Sequence, residues 1–103
     1  MDDMKYIRSR ISTGEALAQL AEEAAELAQA ALKLRRVLDG TNPTPVRQRE
    51  AIDHVAEEIG DVLLCARVAY FNPDSREIRD AVRRKKMRWA WRLRDAQKVV
   101  DGG

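Results

Sequence analysis

The chain has 103 residues, with 19 Lys+Arg against 17 Asp+Glu, 5% aromatics and one cysteine. One small domain (1–103) is expected, with self-association as an extra source of core; a disulfide scaffold is excluded. No apolar run approaches the roughly 20 residues of a membrane helix and no apolar signal segment opens the chain, so a soluble cytoplasmic protein with no membrane partner is expected.

Helix formers such as Ala, Leu, Glu, Arg and Gln dominate, which points to an all-α protein. Residues 1–11 read as a short lead-in. Ser12-Thr13-Gly14-Glu15 then forms a capping box. The first predicted helix runs from about Thr13 to Leu38, with an apolar seam at Leu17, Leu20, Ala24, Leu27, Ala31, Leu34 and Leu38. Asp39-Gly40 ends it, the glycine suiting a left-handed C-terminal position. Thr41 to Thr44 is a loop, and Thr44-Pro45 is a cap followed by an N1 proline.

The second predicted helix spans about Pro45 to Tyr70, with its seam at Ile52, Val55, Ile59, Val62, Ala66 and Ala69. Asn72-Pro73-Asp74 is a turn signal, and Asp74 is placed to cap a third helix over about Ser75–Val100. That helix carries Ile78, Val82, Trp89, Leu93, Ala96 and Val100, with Trp89 expected in the core. Short connections predict three long antiparallel helices that complete four-helix-bundle cores through oligomerisation. Charge is uneven: residues 1–71 sum to −3 and residues 72–103 to +5. That asymmetry suits a metal–polyphosphate ligand or two solvated faces.

An internal repeat carries most of the chemical information. Leu20-Ala21-Glu22-Glu23-Ala24-Ala25-Glu26-Leu27-Ala28 aligns with Val55-Ala56-Glu57-Glu58-Ile59-Gly60-Asp61-Val62-Leu63 at an offset of 35 residues, which is five heptads. The acids therefore superimpose in phase: Glu23 on Glu58 and Glu26 on Asp61. Glu23 and Glu58 lie roughly 60° from the centre of their apolar stripes, and Glu26 and Asp61 roughly 120°. Two antiparallel helices in contact at their centres can bring these flanks together. Four carboxylates in one place repel unless some are protonated or a divalent cation neutralises them. An all-oxygen set favours Mg²⁺, with Mn²⁺ as an alternative. A ferritin-like di-iron site needs Glu-x-x-His pairs, and the only histidine, His54, stands outside both acid pairs. Gly60 costs helix propensity, which suggests close approach by a ligand or a neighbouring helix.

Glu23-Ala24-Ala25-Glu26 and Glu58-Ile59-Gly60-Asp61 resemble the Glu-x-x-Glu and Glu-x-x-Asp signature of the all-α NTP pyrophosphatase superfamily, MazG-like branch. The likeness covers roughly residues 15–95, and Lys33, Lys86-Met87 and Arg92-Leu93 resemble its recurrent basic positions. The 31 residues between Glu26 and Glu58 slightly exceed the commoner spacing, an excess that fits the Thr41–Val46 loop. The resemblance implies Mg²⁺-dependent hydrolysis of a nucleoside triphosphate to the monophosphate and pyrophosphate, as in clearance of non-standard nucleotides. It also implies a dimer or tetramer. Glu23, Glu26, Glu58 and Asp61 would be metal-binding and catalytic, with Lys33, Lys86 and Arg92 on the substrate.

Two rival readings compete. Arg83-Arg84-Lys85-Lys86 with Arg88 and Arg92 makes a basic helix, as in nucleic-acid-binding modules. The phase-matched acids argue against that partner, because without metal they repel phosphate. A catalytically inactive member serving as an oligomeric adaptor is the second rival, and retention of all four acids argues against it. His54 reads as a helix-surface residue and Cys65 as a small core residue.

Overall fold

A computed structural model describes residues 2–41 and 47–102. Four helices carry the chain: α1 (Asp3–Arg10), α2 (Thr13–Leu38), α3 (Gln48–Val68) and α4 (Arg76–Gly102). No strand occurs among the described residues, and no helix in them is long and apolar enough to cross a membrane. The helices fall into two compact units, Met1–Phe71 and Asn72–Gly103.

Helix α1 occupies the stretch expected as a lead-in. Asp2 caps it by accepting the Lys5 N–H at 2.8 Å, and Arg8 and Arg10 lie in its last turn, where cations suit the helix dipole. Eight residues are too few for a stable isolated helix. The helix is anchored by Met4 and Ile7, with Ile11 just beyond it, on the buried cluster of Ala16, Val68 and Ala69.

Helix α2 begins as the capping box predicts. Ser12 Oγ accepts the Glu15 N–H at 3.0 Å and contacts Glu15 Oε1 at 3.2 Å. It ends in a Schellman motif: Gly40 has φ 71°, Thr41 N donates to Arg36 O at 2.9 Å, and Gly40 N donates to Val37 O at 3.3 Å. The Thr44-Pro45 cap proposed for the next helix lies outside the described residues.

Helix α3 begins at Gln48, after extended Arg47, and ends at Val68, two residues before the expected Tyr70. Its terminus is a second Schellman motif, in which Tyr70 takes the place usually given to glycine, at φ 68°. Phe71 N donates to Ala66 O at 2.8 Å and Tyr70 N to Arg67 O at 2.9 Å. A left-handed non-glycine residue costs about 1–2 kcal/mol. Arg8 of α1 supplies offsetting contacts: its guanidinium carbon lies 4.3 Å from the Tyr70 ring centroid, and its Nη2 donates to the Arg67 carbonyl. Helix α1 thus clasps the C-terminus of α3.

Helices α2 and α3 pack antiparallel. Ala16 at the start of α2 meets Val68 and Ala69 at the end of α3, while Ala30, a third of the way from the end of α2, shares a cavity with His54 near the start of α3. The buried and half-buried residues on α2 include Ala16, Leu20, Glu23, Leu27, Ala30, Leu34 and Val37; on α3 they include Ala51, Ile52, Val55, Glu58, Asp61, Val62, Cys65, Ala66 and Val68. Both faces depart from the predicted seams toward the acids. On α2 every second position moves back by one residue, from Leu17 to Ala16 for example; on α3 Glu58 is buried in place of Ile59, while Ile52 and Ala66 stay half-buried beside Ala51 and Cys65. Each contact face is therefore turned toward the acid flank. Small alanines allow close approach there, and Leu17, Ile59 and Leu63 remain exposed on the other flank.

Helix α4 is capped by Ser75, whose Oγ accepts the Ile78 N–H at 3.3 Å, one residue later than the expected Asp74. Ahead of it, Asn72 Oδ1 accepts the Asp74 N–H at 2.9 Å in an Asx turn. The helix buries none of its residues. Trp89, expected in the core, is 67% exposed, and its neighbour Trp91 is 63% exposed. The apolar residues of α4 recur at helical spacing, but none of them is buried within its own unit.

Two glycines test this account. A Cβ on Gly40 would meet nothing within 4 Å, so Gly40→Ala carries only the left-handed backbone cost and should lower stability by about 1 kcal/mol. Gly60 also has open space where its Cβ would be, contrary to the close approach expected. Gly60→Ala should therefore raise stability by about 1 kcal/mol. Urea midpoints with unchanged m-values measure both.

Candidate metal centre

The turn of the α2 and α3 contact faces toward the acid flank, about 50° or half a residue, carries acids into the helix contact. Glu23 and Glu26 from α2 and Glu58 from α3 each offer a carboxylate oxygen, and the three oxygens lie within 4.8 Å of one another. Glu58 is buried, its side chain only 10% exposed. Among the described residues, three buried side-chain polar atoms have no hydrogen-bond partner: Arg8 Nε, Glu23 Oε2 and Glu58 Oε2. Two of the three therefore belong to this cluster. A buried carboxylate oxygen without a partner is costly, and a hard cation is the natural group to satisfy it.

Asp61 lies on the same flank, one turn beyond Glu58, and is half-buried. It stands outside the set of three oxygens but acts on Glu23 through its charge. Desolvation chiefly, then the charge of Glu26, then that of Asp61, pushes the Glu23 carboxyl up to about 7. A hydrogen bond with Glu26 and the charge of Glu58 add to the rise. Desolvation, and then the neighbouring negative charge, thus favour the protonated form of Glu23, a situation that a bound divalent cation would relieve. The donor set is all oxygen, which fits Mg²⁺ or Mn²⁺ better than zinc. Glu23, Glu26 and Glu58 could hold the ion directly, with Asp61 beside them.

Two residues not anticipated at the site lie next to it. His54 Nε2 is 3.3 Å from Glu58 Oε1, one helical turn away, and the half-exposed imidazole fixes one oxygen of Glu58 while leaving the other unpartnered. Its position four residues before Glu58 was the available signal in the sequence. A cavity of about 500 Å³ opens beside this pair, lined by Glu26, Gln29, Ala30, Lys33, Arg36, His54 and Glu58. The structure thus brings Lys33 beside the acids as expected and adds Arg36. Lys86 and Arg92 are exposed residues of α4, in the second unit.

No family model, no curated protein and no solved structure matches this chain.

The state of Glu23 sets a sign for pH dependence. Its carboxyl titrates near 4.5 in the unfolded chain and about 7 in the folded one, so the folded protein binds the extra proton between those values. The contribution of this group to stability is complete below 4.5 and is lost as pH rises through about 7. Calorimetric melting of metal-free protein across this range should show the loss, and Glu23→Gln should flatten it. Added Mg²⁺ should raise the melting temperature more above pH 7 than below 5.

Proposed function

We propose that this chain is a Mg²⁺-dependent nucleoside triphosphate pyrophosphohydrolase of the MazG-like kind. The observation that carries the reading is the meeting of Glu23, Glu26 and buried Glu58 from two helices, with two carboxylate oxygens lacking partners. The Glu-x-x-Glu and Glu-x-x-Asp pairs at Glu23–Glu26 and Glu58–Asp61 support it from the sequence.

The reaction is in-line attack of water on the α-phosphorus. The water oxygen bonds to phosphorus, the bond to the bridging oxygen breaks, and pyrophosphate leaves. Glu23, Glu26 and Glu58 would hold the magnesium ion, which would supply charge neutralisation at the phosphates and a lowered pKa for bound water. Among the chain's own groups, Glu23 or Glu26 would take the proton from the water. Glu23, Glu26, Glu58 and Asp61 together supply the negative field that would hold the cation. Lys33 and Arg36, which line the same cavity, would offset charge on the departing pyrophosphate.

Self-association belongs to the same reading. The Leu17, Ile59 and Leu63 flank faces away from the α2–α3 contact and is exposed. Pairing two such hairpins would build a four-helix core, as a dimer or tetramer. The exposed basic face of α4 keeps nucleic-acid binding as the competing assignment.

Pyrophosphate release from nucleoside triphosphates should require Mg²⁺. Glu58→Gln should reduce it by roughly 100-fold or more while the helical circular dichroism spectrum is retained. Activity that survives Glu58→Gln would remove the assignment. Binding to an oligonucleotide that weakens steeply with salt, without any Mg²⁺-dependent hydrolysis, would favour the basic-helix alternative.

A further inference from the structure

On the side of the acids opposite the cationic cavity, a second and more enclosed space lies between α1, the start of α2 and the end of α3. Its volume is about 160 Å³, and Ile7, Ile11, Ala16, Leu64 and Val68 form its apolar walls, with Gln19 and Cys65 as the more polar members. We propose that this slot receives the base of a pyrimidine nucleotide, an inference that rests on the pyrophosphohydrolase reading above.

Size decides the kind of base. An apolar cavity of about 150 Å³ holds one benzene molecule, so this slot matches a single six-membered ring better than the fused rings of a purine. Composition agrees: ligand sites are mostly apolar, with a few polar groups that fix orientation. Gln19 is the available orienting group, since its amide offers both donors and an acceptor to the edge of a base. Cys65 is kept as an uncharged thiol, its pKa raised by burial and then by the charges of Glu23 and Asp61.

Order along α2 supplies the remaining argument. Gln19 stands one turn before Glu23, and Lys33 stands two turns after Glu26. At 1.5 Å per residue, Gln19 to Glu26 and Glu26 to Lys33 are each about 10 Å along the axis. One helix therefore presents an aromatic-ring slot, an anionic centre suited to metal and α-phosphate, and then cations, in that order. A nucleoside triphosphate has the same order of parts: base, α-phosphate, departing pyrophosphate.

The test compares the binding of α,β-imido analogues of a pyrimidine and a purine nucleoside triphosphate with that of inorganic tripolyphosphate, all with Mg²⁺, by calorimetry on the full chain. The pyrimidine analogue should bind at least about tenfold tighter than either of the others, a difference of about 1.4 kcal/mol. Cys65→Leu, which fills the slot, should abolish that advantage and leave tripolyphosphate affinity unchanged. Gln19→Ala, at an exposed position, should reduce the advantage severalfold without altering the fold. Equal binding of the three ligands, or a pyrimidine preference untouched by both substitutions, overturns the slot while leaving the pyrophosphohydrolase reading intact. Failure of all three ligands to bind, with no Mg²⁺-dependent pyrophosphate release, overturns both.

Discussion

The structure depends on a helix contact that has carboxylates inside it. Packing α2 against α3 through the centres of their predicted apolar seams would leave Glu23 and Glu58 at the margin, solvated. The observed contact is turned toward the acids, so Glu58 is buried and Glu23 is half-buried. Such an arrangement stores unfavourable electrostatics: like charges are crowded together, and Glu23 Oε2 and Glu58 Oε2 lack partners. A sequence selected for stability alone would place leucine or alanine at these positions. The acids are therefore best explained by a bound group that needs them, and the reading as a hydrolase starts there.

The same rotation explains why the hydrophobic core is so slight. Its buried members are Ala16, Ala30, Ala51, Val68 and Ala69, and among the described residues no large side chain is fully buried. Alanines let the helix axes approach closely enough for the acid side chains to converge, at the expense of buried apolar area. Part of the deficit is met by α1, which packs Met4 and Ile7 on the cluster while Arg8 holds Tyr70 and the end of α3. The larger side chains, Leu17, Ile59 and Leu63, lie on the opposite flank. Their exposure is costly in a monomer, and it gives self-association a physical motive independent of any family likeness.

Much of this was legible in the sequence, for identifiable reasons. Ser12, Glu15 and Gly40 carry capping chemistry that acts within a few residues, so both ends of α2 could be read locally. The repeat at an offset of 35 residues fixed the relative phase of the acids, because both helices obey one period. The choice of contact face was not legible. Leucine-rich centres and alanine-rich flanks both satisfy a heptad pattern, and only tertiary packing selects between them. Helix α1 was missed because it is short and has little apolar periodicity, and its stability comes from Arg8 and the Ala16 cluster, far apart in sequence. Tyr70 was missed because left-handed termini are read from glycine, and here an arginine from another helix supports a tyrosine. The exposure of Trp89 has a related cause: periodicity reveals that a helix has an apolar face, but not whether the same chain covers it.

Helix α2 joins these observations because it acts as a ruler. Its residues along the acid flank run from Gln19 through Glu23 and Glu26 to Lys33, changing in character from neutral to anionic to cationic. Helix α3, running the other way, contributes Cys65, Asp61, Glu58 and His54 in register with that gradient. The two halves of the repeat thus match in phase but differ in what they present along their length. A symmetric pair of acid motifs would suffice to hold a cation. The asymmetry beyond it, apolar on one side and cationic on the other, is what would give a bound polyphosphate a direction, and direction determines which phosphorus faces the attacking water.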